Sequence, residues 1–168
     1  MGDYYFGRSV ILLAEHNPEG SFGLILNKPV SKLLSEVSED FPELETPLYL
    51  GGPVERNRLF FIHSLGDQIS DSIELLNGLF WGGNMEDVIE MAQLKKLTPQ
   101  NSRFFLGYAG WGANQMEEEL KRNSWAITKA SAELIFTTKS DILWKKLTRK
   151  LGQDYRLWDK FPVNPNLN

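Results

Sequence analysis

Few residues in this 168-residue chain are equipped for chemistry, because the commonest carriers are missing. It has no cysteine, which removes thiolate nucleophiles, disulfides, iron–sulfur clusters, cysteine zinc sites and thiol redox sensing together. It has two histidines. His16 stands in Glu15-His16-Asn17, and His63 ends an apolar stretch ahead of Ser64. A histidine beside a carboxylate can be the general base of a small hydrolase, or can ligate a metal. The sequence has no His-Glu-x-x-His pair and no compact His/Asp cluster, so both histidines are expected to be hydrogen-bonded structural residues. A hydrolase using His16 or His63 is the alternative. No Gly-x-Ser-x-Gly elbow marks Ser9, Ser64 or Ser124 as a nucleophile. The expected catalytic set is empty, with no metal and no cofactor.

Two other segments could bind. Gly107-Tyr108-Ala109-Gly110-Trp111-Gly112-Ala113-Asn114-Gln115 reads as strand, glycine turn and helix start. A helix start presents free N–H groups and partial positive charge, which suits an anion, and Asn114 and Gln115 could add donors. The segment matches neither a P-loop nor a dinucleotide fingerprint, and Glu117, Glu118 and Glu119 would repel a phosphate. The plainer alternative is a tight turn with Asn114 as an ordinary helix cap. The second segment is the last helix, where Lys145/Arg149 and Lys146/Lys150 put four cations opposite a leucine stripe. That face could touch phosphates or could simply be solvated. A net charge of −4 and a pI near 5.3 disfavour nucleic acid as a partner.

Positioning these residues falls to short elements. Arg8 to Ala14 reads as a strand buried on both faces. A turn at Asn17–Gly20 returns it to a second strand, Phe22–Leu26. A short helix capped by Ser31 and stopped by Pro42 follows, then strands at 48–50 and 59–63 around Gly51-Gly52-Pro53. Short strands broken at Asn77-Gly78 precede a helix over 85–97 capped by Asn84. A strand at 103–109 leads to the glycine turn and a helix from Asn114 to about Arg122. Residues 125–129 read as extended, 133–137 as a strand, and the last helix runs from a Ser140 cap to Gly152. Strands outnumber helices and several look hairpin-connected, which gives an α+β class. No paired short helices suggest a helix-turn-helix. The N-terminus has no basic region and no apolar run long enough for a signal or a span, so a cytoplasmic location and no membrane contact are expected.

One ordered set of motifs runs through the chain. Phe6-Gly7-Arg8-Ser9-Val10 leads to Glu15-His16-Asn17, Glu19-Gly20-Ser21-Phe22-Gly23-Leu24 and Asn27-Lys28-Pro29. Gly51-Gly52-Pro53-Val54, Leu106-Gly107-Tyr108-Ala109-Gly110-Trp111, Gln115, Glu119, Ser124-Trp125 and Trp144 follow. Each motif alone is weak, but the ordered set over residues 6 to about 152 resembles the AlgH-like family of bacterial proteins. The resemblance implies a bent, partly barrel-like, mostly antiparallel sheet flanked by helices. The implied division is a single domain over 1–156 with an extended tail over 157–168. It implies no reaction, although members often carry a transcriptional-regulator label. Members usually begin with a further strand before the segment matching Asp3 to Ser9, so a shortened or late start is expected here. The functional expectation is a non-enzymatic binding or regulatory module for an unidentified protein or small molecule. Its surface would combine His16, Asn17 and Asn27 with Gly107, Tyr108, Gly110, Trp111, Gly112, Asn114 and Gln115. That surface exists only if the two segments are neighbours in the sheet.

Overall fold

The computed structural model describes residues 5–41 and 44–152, with Tyr155 and Trp158. The strands are β1 (Ile11–Asn17), β2 (Gly20–Ile25), β3 (Pro29–Leu33), β4 (Pro47–Leu50), β5 (Val54–His63), β6 (Ile73–Leu76), β7 (Leu79–Trp81) and β8 (Ser102–Gly112). The helices are α1 (Met85–Gln93), α2 (Gln115–Lys121), α3 (Ala132–Thr137) and α4 (Ser140–Lys150). The sheet order is β1-β2-β8-β5-β7-β6, with β4 joining β8 and β3 joining β4. The pairings are antiparallel except β4 with β8. The sheet is barrel-like and nearly closed, with one seam, and this is the α+β architecture the resemblance implied.

β8 is the spine. On one edge it pairs with β5; on the other, Phe104–Leu106 pairs with β4 and Ala109–Gly112 pairs with β2. The change of partner falls at Gly107, whose φ of +71° disfavours any side chain. A Cβ there would also lie 2.6 Å from the Val54 carbonyl oxygen and 2.7 Å from that of Gly52. Gly52 in turn passes so close to Tyr108 that a Cβ would fall 2.0 Å from its backbone. These glycines let three strands meet and bend the sheet.

Strand alternation divides the core. Phe105 and Ile62 face Leu24, Leu26 and the residues of α3 and α4, including Leu134, Ile135, Phe136, Leu143 and Leu147. Phe104 and Phe61 face the other way, toward Leu34, Phe41, Leu48, Ile69 and α1 through Val88 and Met91. Each such side chain contributes about 1.5–3 kcal/mol on burial. Arg103 is buried to 4 % exposure within the first layer. Its guanidinium donates to the carbonyls of Leu26 (2.9 Å) and Ile135 (2.8 Å) and lies 4.7 Å from the Tyr49 ring centre. Burial lowers its pKa, partly offset by Tyr49.

Several local expectations fail for physical reasons. Residues 133–137 form α3 rather than a strand: Ser131 accepts the Leu134 N–H at 3.2 Å as a cap, and the apolar run is buried by packing. Ser31 lies in β3, and in place of the expected helix a short 3₁₀ turn, Leu34–Glu36, follows it; the expected stop at Pro42 lies outside the described residues. Gly110–Gly112 continue β8 instead of turning. β1 is an edge strand with Leu13 41 % exposed, so it is not buried on both faces. α1 ends at Gln93, since Lys95 takes φ +55°. The strand expected at 59–63 is longer and begins at Val54 as β5; both it and β4 pair with β8. Lys139, not Ser140, is the N-cap position of α4, and the Ser140 hydroxyl instead meets Tyr49 Oη at 3.3 Å. α3 and α4 are consecutive helices with only Thr138 and Lys139 between them, a pairing the sequence reading did not anticipate. The β1–β2 hairpin, the Asn84 cap and α2 stand as expected, and the short strands on either side of Asn77-Gly78 are β6 and β7, which pair with each other. The expected tail, apart from Trp158, lies outside the described residues.

Candidate functional site

Four backbone pairs join the hairpin to the glycine segment: Gly20 with Gly112, Ser21 with Trp111, Phe22 with Gly110, and Gly23 with Ala109. The two halves of the expected surface are therefore neighbours. Alternation then separates their side chains. His16, Ser21 and Trp111 share one face, while Glu15, Phe22 and Gly110 share the other.

The first face lies under α2 and is occupied by internal contacts. Glu119 accepts from both indoles, Trp111 Nε1 at 3.1 Å and Trp125 Nε1 at 2.6 Å, and from Gln115 Nε2 at 2.9 Å. Phe6 closes the group, 6.0 Å from Trp111 and 5.6 Å from Trp125 between ring centres. Burial acts to raise the Glu119 pKa, but the hydrogen bonds from Trp125, Gln115 and Trp111 outweigh it and hold the carboxyl below its usual range. Gln115 Oε1 also accepts the Gly112 N–H at 3.0 Å. Asn114 sits in the left-handed region at φ +59° and forms no side-chain cap. The ordinary Asn114 cap therefore does not form. The Gln115 side chain is taken up by Gly112 and Glu119, and α2 opens with Glu117 and Glu118, whose charge disfavours an anion.

His16 joins this face at its rim. Its Nδ1 lies 2.8 Å from Ser21 Oγ, and its Nε2 lies 3.6 Å from Glu117 Oε1, tying the hairpin to α2. His63 is elsewhere, fully buried between Phe61 and Phe80. Its Nε2 meets the Gly82 carbonyl at 3.1 Å and its Nδ1 accepts the Leu65 N–H at 3.2 Å. Burial lowers its pKa, only partly countered by Gly82. Asn27 is also removed from the site, at the far end of β2 from the hairpin turn. It accepts the Val10 N–H at 2.8 Å and donates to the Arg8 carbonyl at 2.9 Å, pinning residues 8–10.

The second face is open. A groove of about 480 Å³ is lined by Glu15, Asn17, Glu19, Phe22, Val54, Tyr108 and Gly110, with Gly20, Ser21 and Trp111 completing the lining. Phe22 contacts Tyr108 and Trp81, each at 4.9 Å between ring centres, and Phe60 stacks on Trp81 at 5.7 Å. All four rings are only partly buried. Asn17 is committed to the turn: Oδ1 accepts from Glu19 N and Gly20 N, and Nδ2 donates to Glu15 Oε1 at 2.7 Å. Sequence reasoning missed Glu15, Glu19, Phe22 and Val54 as lining residues, and Ser21 and Glu117 as partners of His16. The β1–β2, β2–β8 and β5–β8 pairings together bring these groups into one place. The cations of α4 stand apart, all exposed, with Lys146 Nζ 3.3 Å from Thr138 Oγ1. The early exposed positions of α4 are Asp141 and Ile142, and Arg8 lies over Trp144 at 5.1 Å. Asp141 and Ile142 offer no amide or guanidinium to read a base edge. Among the described residues, no cluster of His, Asp and Glu could hold a metal ion, and no helix is long and apolar enough to cross a membrane.

An almost closed, mostly antiparallel sheet with an indole-carboxylate cluster under α2 and an open groove beside the β1–β2 hairpin and β8 defines the class. The AlgH-like family model matches residues 1–156, and the chain belongs to that family. It is 41 % identical over 163 residues to a UPF0301 protein of Chlorobium limicola, covering 97 % of this chain and 87 % of that one. Another, from Parabacteroides distasonis, is 41 % identical over 168 residues, covering 99 % and 85 %. The solution structure of AlgH from Pseudomonas aeruginosa superposes with a TM-score of 0.73 at 30 % identity, covering 96 % of this chain and 88 % of that one. A crystal structure from Corynebacterium diphtheriae shares the fold, with a TM-score of 0.75 at 23 % identity, covering 96 % and 86 %.

Proposed function

We propose that this chain is a non-enzymatic binding module whose working surface is the groove between the β1–β2 hairpin and β8. The observation that carries it is the division of labour at the β2–β8 pairing. Glu119, Gln115, Trp111, Asn27 and Gly107 are consumed by architecture, while Glu15, Glu19, Phe22 and Tyr108 line an open concavity. Ligand sites characteristically combine an apolar floor with a few placed polar groups. A regulatory role is then exerted through a bound partner rather than by direct DNA contact, in keeping with the net charge of −4. The test is a ligand-observed NMR fragment screen on wild type and on Gly110→Leu, which fills the groove floor, with Lys145→Glu/Arg149→Glu as a control. Hits lost in Gly110→Leu and kept in the control support the reading; hits indifferent to Gly110→Leu refute it.

A second reading has one observation in its favour, the Ser21–His16–Glu117 series at 2.8 and 3.6 Å, which orders a hydroxyl, an imidazole and a carboxylate as a hydrolase does. Ser21 is only 8 % exposed within its strand, which suits a latch better than a nucleophile. Covalent labelling of Ser21 by a fluorophosphonate, absent in Ser21→Ala, would establish the hydrolase; no labelling under denaturant-free conditions would remove it.

A further inference from the structure

Resting on the binding-module reading, we propose that the groove takes the guanidinium of an arginine carried on an extended segment of a partner protein. Four observations converge. Glu15 and Glu19 line the groove, and among the described residues no lysine or arginine lies within ion-pair reach of either. The adjoining floor is aromatic, with Phe22 and Tyr108 in contact and only partly buried. The same aromatic group already holds a guanidinium from its own chain: Arg58 lies 5.4 Å above the Phe60 ring, fixed by Glu55 at 3.1 Å. Phe60 in turn packs edge-on to Tyr108 at 5.6 Å, so the internal pair shows a guanidinium–ring–carboxylate arrangement next to the groove.

The chemistry follows. A flat guanidinium stacks on a ring while donating sideways to a carboxylate, which an ammonium cannot do as well. The Asn17 amide holds Glu15 in place, so less side-chain freedom is lost on binding. An anionic ligand would face both carboxylates. A polypeptide source fits because the groove is open and its floor includes Gly20 and Gly110, which have no side chain to hold a passing backbone away.

The experiment is an amide chemical-shift titration of the full chain with three probes: an acetylated, amidated Gly-Arg-Gly tripeptide, its citrulline counterpart, and agmatine. The arginine tripeptide is expected to shift Glu15, Phe22, Tyr108 and Gly110, and to bind at least several-fold more tightly than either other probe. Glu15→Gln/Glu19→Gln, both at exposed positions, is expected to weaken it about five-fold, with a similar loss in high salt. Citrulline binding equally well overturns the cation and leaves the binding module standing. Agmatine binding equally well overturns the polypeptide source. No shift at the groove from any probe or from the fragment screen overturns both readings.

Discussion

Replacing Glu119 tests how the glycine segment and α2 are held. In Glu119→Ala, Trp111 Nε1, Trp125 Nε1 and Gln115 Nε2 lose their common acceptor. A hydrogen bond to a charged group is worth about 1.5–3 kcal/mol. Gln115 is exposed, so water replaces its bond at little cost, while the two indoles are packed against Phe6. The expected loss is about 2–4 kcal/mol, a fall in melting temperature on the order of 10 °C for a domain of this size. Glu119→Gln keeps a neutral acceptor and should cost about half as much. The sign with pH follows from the depressed carboxyl. Its stabilisation is present above the unfolded value of about 4.3 and is lost as pH falls through the lower folded value. The gap between wild type and Glu119→Gln should therefore close in acid. Thermal melts from pH 7 to 3, with the indole N–H resonances of Trp111 and Trp125, read both effects. A Glu119→Ala melt within 1 °C of wild type (about 0.3 kcal/mol) with unmoved indole resonances would refute the reasoning.

Other consequences are checked by urea denaturation. Arg103→Ala leaves the buried Leu26 and Ile135 carbonyls without their donor beneath α3, at about 1–3 kcal/mol each, and should cost about 2–5 kcal/mol. Gly107→Ala forces a side chain into φ +71° against two carbonyl oxygens and should cost at least about 2 kcal/mol. His63 has its pKa lowered by burial, so the unfolded chain takes up a proton first as pH falls below about 6.5. Wild type should thus lose more stability between pH 7.5 and 5 than His63→Gln does.

Legibility in the sequence followed the range of the interaction. The β1–β2 hairpin was readable because its turn residues lie between adjacent apolar runs, whereas at 73–81 only the break at Asn77-Gly78 was readable and not the pairing across it. α3 was not, because Leu134-Ile135-Phe136 is apolar on every side and only packing against Leu143 and Leu147 decides its state. The candidate site was half readable. The motif residues Trp111, Gln115, Glu119 and Asn27 stood out, but their distinctive types serve hydrogen bonds that fix the fold. Glu15 and Glu19 looked like ordinary hairpin carboxylates, and Phe22 like core. Their shared groove depends on β2 meeting β8 some ninety residues later, a pairing no local pattern encodes.

The most direct test of the binding-module account is to map, by backbone amide shifts, where hits from a mixed library of cationic, anionic and neutral aromatic fragments bind. The account predicts perturbations concentrated at Glu15–Phe22 and Tyr108–Gly110. Perturbations concentrated on Lys145, Lys146, Arg149 and Lys150 instead, or none at the groove at millimolar fragment, would contradict it.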